Sequence, residues 1–234
     1  MTAIAPRERL IVALDVPSAG EARALVEKIG DAAAFYKIGL ELFTAGGYFE
    51  LLQWLAKRGN KVFADLKLYD IPETVRRSVA NLRGSGATFL TVHGHRSVME
   101  AAAKEKGPLK ILAVTVLTSF DQRDLDEMGA SKTVEQLVLA RAKGAVDAGC
   151  DGVIASALEA PKLKTAFGKK LLVVTPGIRP EGADAGDQKR AATPAQAFAN
   201  GADYIVVGRP IREAADPRAA AQAIQNTIAA AFRA

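Results

Sequence analysis

Eight short runs of aliphatic and β-branched residues recur along this 234-residue chain with helix-like stretches between them, and that alternation restricts the fold more than any other feature. The runs lie at residues 10–14, 35–39, 61–65, 88–92, 111–116, 152–155, 171–175 and 204–207. They are almost continuously apolar, as strands of a parallel sheet are when helices cover them. Amphipathic stretches fill most of the gaps, at residues 21–29, 48–58, 73–84, 97–106, 134–148, 194–200 and 217–232. The first of these sets Ala22, Leu25, Val26 and Ile29 on one face. Strands alternating with helices imply βαβ units with right-handed crossovers. Eight units in a chain of this length predict an α/β fold closed as a single (β/α)8 (TIM) barrel over residues 1–234, with no linker to divide it.

Composition narrows the class of partner. Apolar residues make up 49% and charged residues 24%, ordinary values for a soluble globular chain. The first apolar run, residues 10–14, is too short to span a bilayer and leads into Asp15 and Val16-Pro17 rather than a small-residue cleavage site. Neither a membrane segment nor a signal peptide is expected. The one cysteine, Cys150, cannot form an internal disulfide, so a reduced, cytoplasmic setting is the default. Lysine and arginine outnumber aspartate and glutamate by 31 to 26, a net charge of +5. Nucleic acid fits that excess poorly, because aromatics are only 6% and no basic block is interleaved with them for base stacking. A small phosphorylated substrate fits better.

Barrels of this kind carry their active sites at the carboxyl ends of the strands. That rule selects Asp15, Lys37, Asp65, Lys67, His93, Thr118, Arg179 and Arg209. A long connection at residues 179–193, rich in Gly, Asp, Ala and charge, follows the seventh run, where barrels commonly bind phosphate. Gly177 and Gly208 in the last two loops would let backbone N–H groups approach an anion, although the same glycines serve tight turns and the nearby arginines serve as solvated surface charge. His93 reads as a packed strand-end group more readily than as a catalyst, His95 as surface, Cys150 as buried and inert, and Trp54 as helix packing.

The densest local signal is Val62-Phe63-Ala64-Asp65-Leu66-Lys67-Leu68-Tyr69-Asp70-Ile71-Pro72-Glu73-Thr74. Asp65 and Lys67 are two apart on an extended segment and so project to one face, the barrel interior. Two structural readings stand beside the functional one: Asp65 and Lys67 as a plain ion pair, and Asp70 as the N-cap of a helix with Pro72 in its first turn and Glu73 at the third position. Lys37, at the end of the adjacent strand, favours function. Alternating charges gathered at one barrel mouth are expensive to assemble for stability alone.

The segment Asp65-Leu66-Lys67-Leu68-Tyr69-Asp70-Ile71-Pro72-x-Thr74 resembles the signature of the orotidine 5′-phosphate decarboxylases. The similarity runs the length of the chain, through Ala13-Leu14-Asp15, Lys37-Ile38-Gly39, Thr91-Val92-His93, Val114-Thr115-Val116-Leu117-Thr118-Ser119, Thr175-Pro176-Gly177-Ile178-Arg179 and Val207-Gly208-Arg209-Pro210-Ile211. The stretch between Met99 and Ile111 looks short by comparison. The resemblance implies a carboxy-lyase that converts orotidine 5′-phosphate to uridine 5′-phosphate and CO2, the last step of de novo pyrimidine nucleotide synthesis, without metal or organic cofactor. It implies Lys67 as the acid that protonates C6, Asp65 near the departing carboxylate, and Lys37 linking the carboxylates and the ribose. Asp15 and Lys37 would hold ribose hydroxyls; Thr118 and Ser119 would lie near the pyrimidine; Arg179, Gln188, Gly208 and Arg209 would bind phosphate; Pro176 would also bind substrate. Asp70 and Thr74 would reach the site of a partner subunit, which implies a homodimer with shared active sites, and Ile71 would be a further substrate-binding residue.

Two rivals remain. One is a Mg2+-dependent decarboxylase or aldolase of keto-sugar phosphates from the same superfamily, which keeps the Asp-x-Lys-x-x-Asp segment and the phosphate loops. Such enzymes need a metal-binding acid at the end of strand one or two, where this chain has Lys37 between Tyr36 and Ile38. The other is a non-catalytic nucleotide-binding barrel, against which the full set Lys37, Asp65, Lys67 and Asp70 speaks.

Overall fold

Side chains two apart on a strand share a face, so each strand of a closed barrel sends alternate residues inward. The computed structural model describes residues 4–180 and 190–232. Its strands are β1 (Leu10–Ala13), β2 (Phe35–Gly39), β3 (Lys61–Leu68), β4 (Phe89–His93), β5 (Lys110–Val114), β6 (Gly152–Ile154), β7 (Leu172–Thr175) and β8 (Tyr204–Val207). They pair in chain order, all parallel, and β8 closes on β1 through Leu10↔Ile205 and Val12↔Val207. The expected α/β barrel is therefore present.

Aromatic rings fill the barrel below the strand ends. Phe89 lies 5.0 Å from Phe35, 5.9 Å from Phe63 and 5.2 Å from Tyr204, centroid to centroid, mostly edge to face. On β6, Gly152 is required for strand packing: a Cβ there would stand 2.7 Å from the Leu172 Cβ and carbonyl oxygen, closer than packed atoms approach. Two residues beyond three of the rings, and therefore on the same inward face, come Lys37, Asp65 and Thr91. The polar layer of the barrel thus sits directly on its aromatic layer.

The helices around the outside are α1 (Ala19–Ile29), α2 (Leu40–Ala45), α3 (Tyr48–Lys57), α4 (Pro72–Leu82), α5 (Arg96–Glu105), α6 (Gln122–Glu127), α7 (Val134–Ala148), α8 (Ala160–Phe167), α9 (Pro194–Ala199), α10 (Arg209–Arg212) and α11 (Pro217–Ala231). Outward residues such as Val12, Tyr36 and Val62 pack with Leu25, Leu51 and Ile224 of α1, α3 and α11. Leu90 and Val92 pack with Val79, Ala102 and Val138 of α4, α5 and α7 on the other side. No helix among the described residues is long and apolar enough to cross a membrane.

The sequence pattern misses α2, α6, α8 and α10, each of eight residues or fewer. In α8, Pro161 stands in the first turn, where its missing N–H has no intrahelical partner to lose. Strand β3 also runs on to Leu68, past the expected end at Asp65, with its pairing to β4 shifting register between Ala64 and Leu68. The capping reading of Asp70 is corrected: α4 begins at Pro72 with Ile71 as N-cap and no side-chain cap, while Asp70 Oδ1 accepts the Ile71 N–H at 2.6 Å. Glu73 pairs instead with Arg76 and Arg77.

Candidate active site

The strand ends surround a cavity of about 520 Å³. Into it β1, β2 and β3 deliver a row of alternating charge. Lys37 Nζ donates to Asp15 Oδ1 at 2.8 Å and lies 3.4 Å from Asp65 Oδ2, and Lys67 Nζ donates to the same Asp65 oxygen at 2.9 Å. Exposure changes along the row: the Lys37 and Asp65 side chains are each 11% exposed, Lys67 30% and Asp15 41%, so Lys67 is the ammonium more open to a ligand. Room for the row comes partly from Gly39, where a Cβ would stand 3.3 Å from Lys37 Nζ and 3.6 Å from Asp15 Oδ1.

Electrostatics keep the two buried members, Asp65 and Lys37, ionised. Burial alone would push the Asp65 carboxyl up, but the ammonium groups of Lys37 and Lys67, with hydrogen bonds from Lys67 and Thr91, outweigh it and hold the carboxyl below its usual range. Burial likewise opposes the charge of Lys37, and Asp65 and Asp15 together overcome it, leaving that amine above its usual value. The Asp65 carboxylate faces an ammonium on both sides, and the described residues contain no group of three or more His, Cys, Asp or Glu side chains able to hold a metal ion.

Lys67 is the only described non-glycine residue with positive φ, at 46°. It does face the same side as Asp65, as its spacing predicts, but through a kinked backbone rather than a regular strand. The Lys67 N–H donates to Thr91 Oγ1 at 2.9 Å, and that hydroxyl donates to Asp65 Oδ1 at 2.8 Å.

Thr118, Ser119, Pro176, Arg179, Gly208 and Arg209 line the same cavity, as expected. Arg179 is buried, with its N–H on the Ala192 carbonyl and the Ala192 N–H on the Gly177 carbonyl, a short bridge that closes the neck of the long connection. Gln188 lies outside the described residues. Asp70 and Thr74 do not join the cavity; they border an adjoining groove with Leu40, Phe43 and Lys67. Exposed Ile71 follows Asp70 in the same loop.

His93 is not among the cavity-lining residues. Its ring packs 5.0 Å from Tyr69, and exposed His95 stacks on the same Tyr69 ring at 4.8 Å. Trp54 packs on the outer core with the Arg58 guanidinium over its ring, and Cys150 is buried. Sequence reasoning overlooks Thr91, Glu41, Arg212 and Arg190. Arg212 reaches the cavity and donates to the Asp15 carbonyl. Partly buried Arg190 pairs with Glu159 at 2.5 Å and donates to the Leu117 carbonyl at 2.9 Å, so it ties the far end of the long connection to the loops after β5 and β6.

The chain is similar to proteins named orotidine 5′-phosphate decarboxylase. One from Methylococcus capsulatus is 57% identical over 228 residues, covering 97% of this chain and 94% of that protein. Another from Methylobacterium radiotolerans is 56% identical over 231 residues, covering 98% and 100%. The crystal structure of orotidine 5′-phosphate decarboxylase from Lactobacillus acidophilus superposes with a TM-score of 0.83 at 38% identity, over 94% of this chain and 99% of that one. With residues 8–224 matching the family's model, the chain belongs to the orotidine 5′-phosphate decarboxylase / HUMPS family.

Proposed function

We propose that this protein converts orotidine 5′-phosphate to uridine 5′-phosphate and CO2, completing pyrimidine nucleotide synthesis in the cytoplasm without metal or organic cofactor. The observation that carries the reading is Asp65 held between two ammonium groups, in a cavity also lined by Arg179 and Arg209. The C6–carboxylate bond breaks, its electron pair stays on C6, and the Lys67 ammonium supplies the proton; solvent then reprotonates the amine. Asp65 faces the departing carboxylate. Asp15 and Lys37 hold the ribose, Thr118, Ser119 and Pro176 the pyrimidine, and Arg179, Gln188, Gly208 and Arg209 the phosphate.

An ammonium about 4 Å from the developing charge, at an effective dielectric near 20, stabilises it by roughly 4 kcal/mol. Enzymatic accelerations need about 8–23 kcal/mol. The remainder falls to preorganised dipoles and to binding energy from the distant phosphate. The connection bearing Gln188 follows β7, where barrels commonly bind phosphate, and is assigned the latter on that ground.

The same reading makes the protein a homodimer whose Asp70, Ile71 and Thr74 complete the partner's site. Supporting it, Leu40, Phe43, Tyr69 and Ile71 are 53, 46, 61 and 67% exposed beside the groove that holds Asp70, an apolar patch of the kind that marks an interface.

Loss of the ultraviolet absorbance of orotidine 5′-phosphate on adding the protein tests the reaction, and turnover persisting in EDTA separates it from a Mg2+-dependent keto-sugar-phosphate chemistry. No turnover would sink the proposal, and turnover abolished by EDTA would sink its cofactor-free form. Sedimentation velocity tests the dimer.

A further inference from the structure

One buried hydroxyl touches both groups to which the reaction assigns chemistry, yet the reaction itself leaves it idle. Thr91, the third residue of β4, is fully buried and turned inward by the alternation that also turns Phe89 inward. Its single proton goes to Asp65 Oδ1 at 2.8 Å, and its oxygen accepts the Lys67 N–H at 2.9 Å. The second bond answers a local need. Where β3 departs from register with β4, between Ala64 and Leu68, the backbone at Lys67 turns through φ 46° and its N–H donates to a side chain. The first bond divides the labour of one carboxylate: Oδ2 takes both ammonium groups, at 2.9 and 3.4 Å, while Oδ1 is occupied by the hydroxyl.

We infer that Thr91 is a positioning residue, whose hydroxyl fixes the Asp65 carboxylate and the Lys67 backbone as one unit and so sets the Lys67 ammonium against the reacting carbon. The inference rests on the roles proposed above for Asp65 and Lys67. Without the hydroxyl, Asp65 is free to rotate and offer both oxygens to Lys67, drawing the proton donor toward itself and away from substrate. The amide at the kink also loses its acceptor, which removes a reason for the backbone to hold that turn. Of the ribose-facing groups, Lys37 touches Asp65 at 3.4 Å but keeps its shorter bond to Asp15 at 2.8 Å, so binding is less affected than turnover.

The test compares Thr91→Val, close in shape but without donor or acceptor, with Thr91→Ser, which keeps the hydroxyl. A displacement of the reacting group by about 1 Å lowers turnover by up to about 100-fold. Thr91→Val is expected to lose kcat on that scale with KM changed less, and Thr91→Ser to stay near the unsubstituted protein. A readout that a packing role would not move is hydrogen exchange at the Lys67 amide, which should quicken in Thr91→Val and stay slow in Thr91→Ser. Unchanged kcat in Thr91→Val, or equal impairment in Thr91→Ser, overturns the inference. If Thr91→Val does not fold, Thr91→Ala is read against Thr91→Ser in the same way. The unsubstituted protein in the same assay keeps the two claims apart: its inactivity would remove the proposed reaction, whereas its activity beside an undisturbed Thr91→Val would remove only the role of Thr91.

Discussion

Replacing Lys67 tests chemistry and backbone together, provided alanine and glycine are compared. Both substitutions delete the ammonium that now sits 2.9 Å from Asp65, and both leave that carboxylate with Lys37 at 3.4 Å and the Thr91 hydroxyl at 2.8 Å. Loss of roughly 4 kcal/mol of charge stabilisation corresponds to about a 10³-fold fall in kcat, inside the range of about 10²–10⁴ for a missing general acid. The two variants should be equally inactive by the absorbance assay. They should differ in stability, because residue 67 holds φ at 46°, where an L-residue is disfavoured by about 1–2 kcal/mol and glycine is not. In a chain of this size about 1 kcal/mol moves Tm by roughly 2–4 °C. Lys67→Gly is therefore expected to melt above Lys67→Ala by a few degrees. Near-normal turnover in either variant refutes Lys67 as proton donor, and a Gly variant no more stable than the Ala variant refutes the strain argument.

Mixing Lys67→Ala homodimers with Asp70→Ala homodimers should restore activity after subunit exchange, since each hybrid dimer carries one intact shared site, about a quarter of all sites at full exchange; no recovery despite demonstrated exchange counts against sharing. Burial pushes the Cys150 thiol up to about 12, beyond the opposing pull of Lys106, so a maleimide at neutral pH should label the denatured chain and spare the native one, and rapid native labelling would contradict it. Burial, then His95, Arg141 and Lys67, lower His93, and burial and Arg141 lower His95. Protonation thus disfavours the folded state: stability is full above the unfolded value near 6.5 and falls as pH drops below it. Tm between pH 7.5 and 5.5 should fall less steeply in His93→Gln, and an unchanged slope would dismiss His93 as the source.

The barrel was legible because its strands carry their own signature: continuous apolar runs such as Ile111 to Val114, spaced by helices with clear one-sided burial such as α1 and α7. The elements that escaped notice lack such a face; α8 buries only Ala160 and Leu163, though α6 does announce itself by the Asp121/Asp124 capping box. Charged strand-end residues were legible for a simple reason. An ionised side chain on an apolar strand contradicts its surroundings and calls for an explanation. Thr91 contradicts nothing, because threonine is a good strand former. What betrays it is phase: Phe35-x-Lys37, Phe63-x-Asp65 and Phe89-x-Thr91 place an aromatic and then a polar group inward on three successive strands. The Arg190–Glu159 pair spans 31 residues and has no local pattern to find. Asp70 was legible as a residue, but a single chain leaves it outside the cavity.

The charged row also explains why the lower barrel is so heavily aromatic. Desolvation is the largest single influence on both Asp65 and Lys37, and for each it opposes the charged form. Each stays ionised because it has two oppositely charged neighbours rather than one. The lowered Asp65 contributes stability above its unfolded value near 3.9, lost as pH falls through the folded value; the raised Lys37 contributes below its unfolded value near 10.4, lost as pH rises through the folded one. Across the wide interval between them Asp65 and Lys37 are both charged, so this buried pair needs no proton uptake when a substrate arrives, which is the condition for electrostatic preorganisation. Such an arrangement is intolerant of truncation, since deleting one partner leaves the desolvation of the next unmatched. It therefore requires a floor that neither shifts nor admits water, and interlocked rings from β2, β3, β4 and β8 meet that requirement better than flexible aliphatic chains of the same volume.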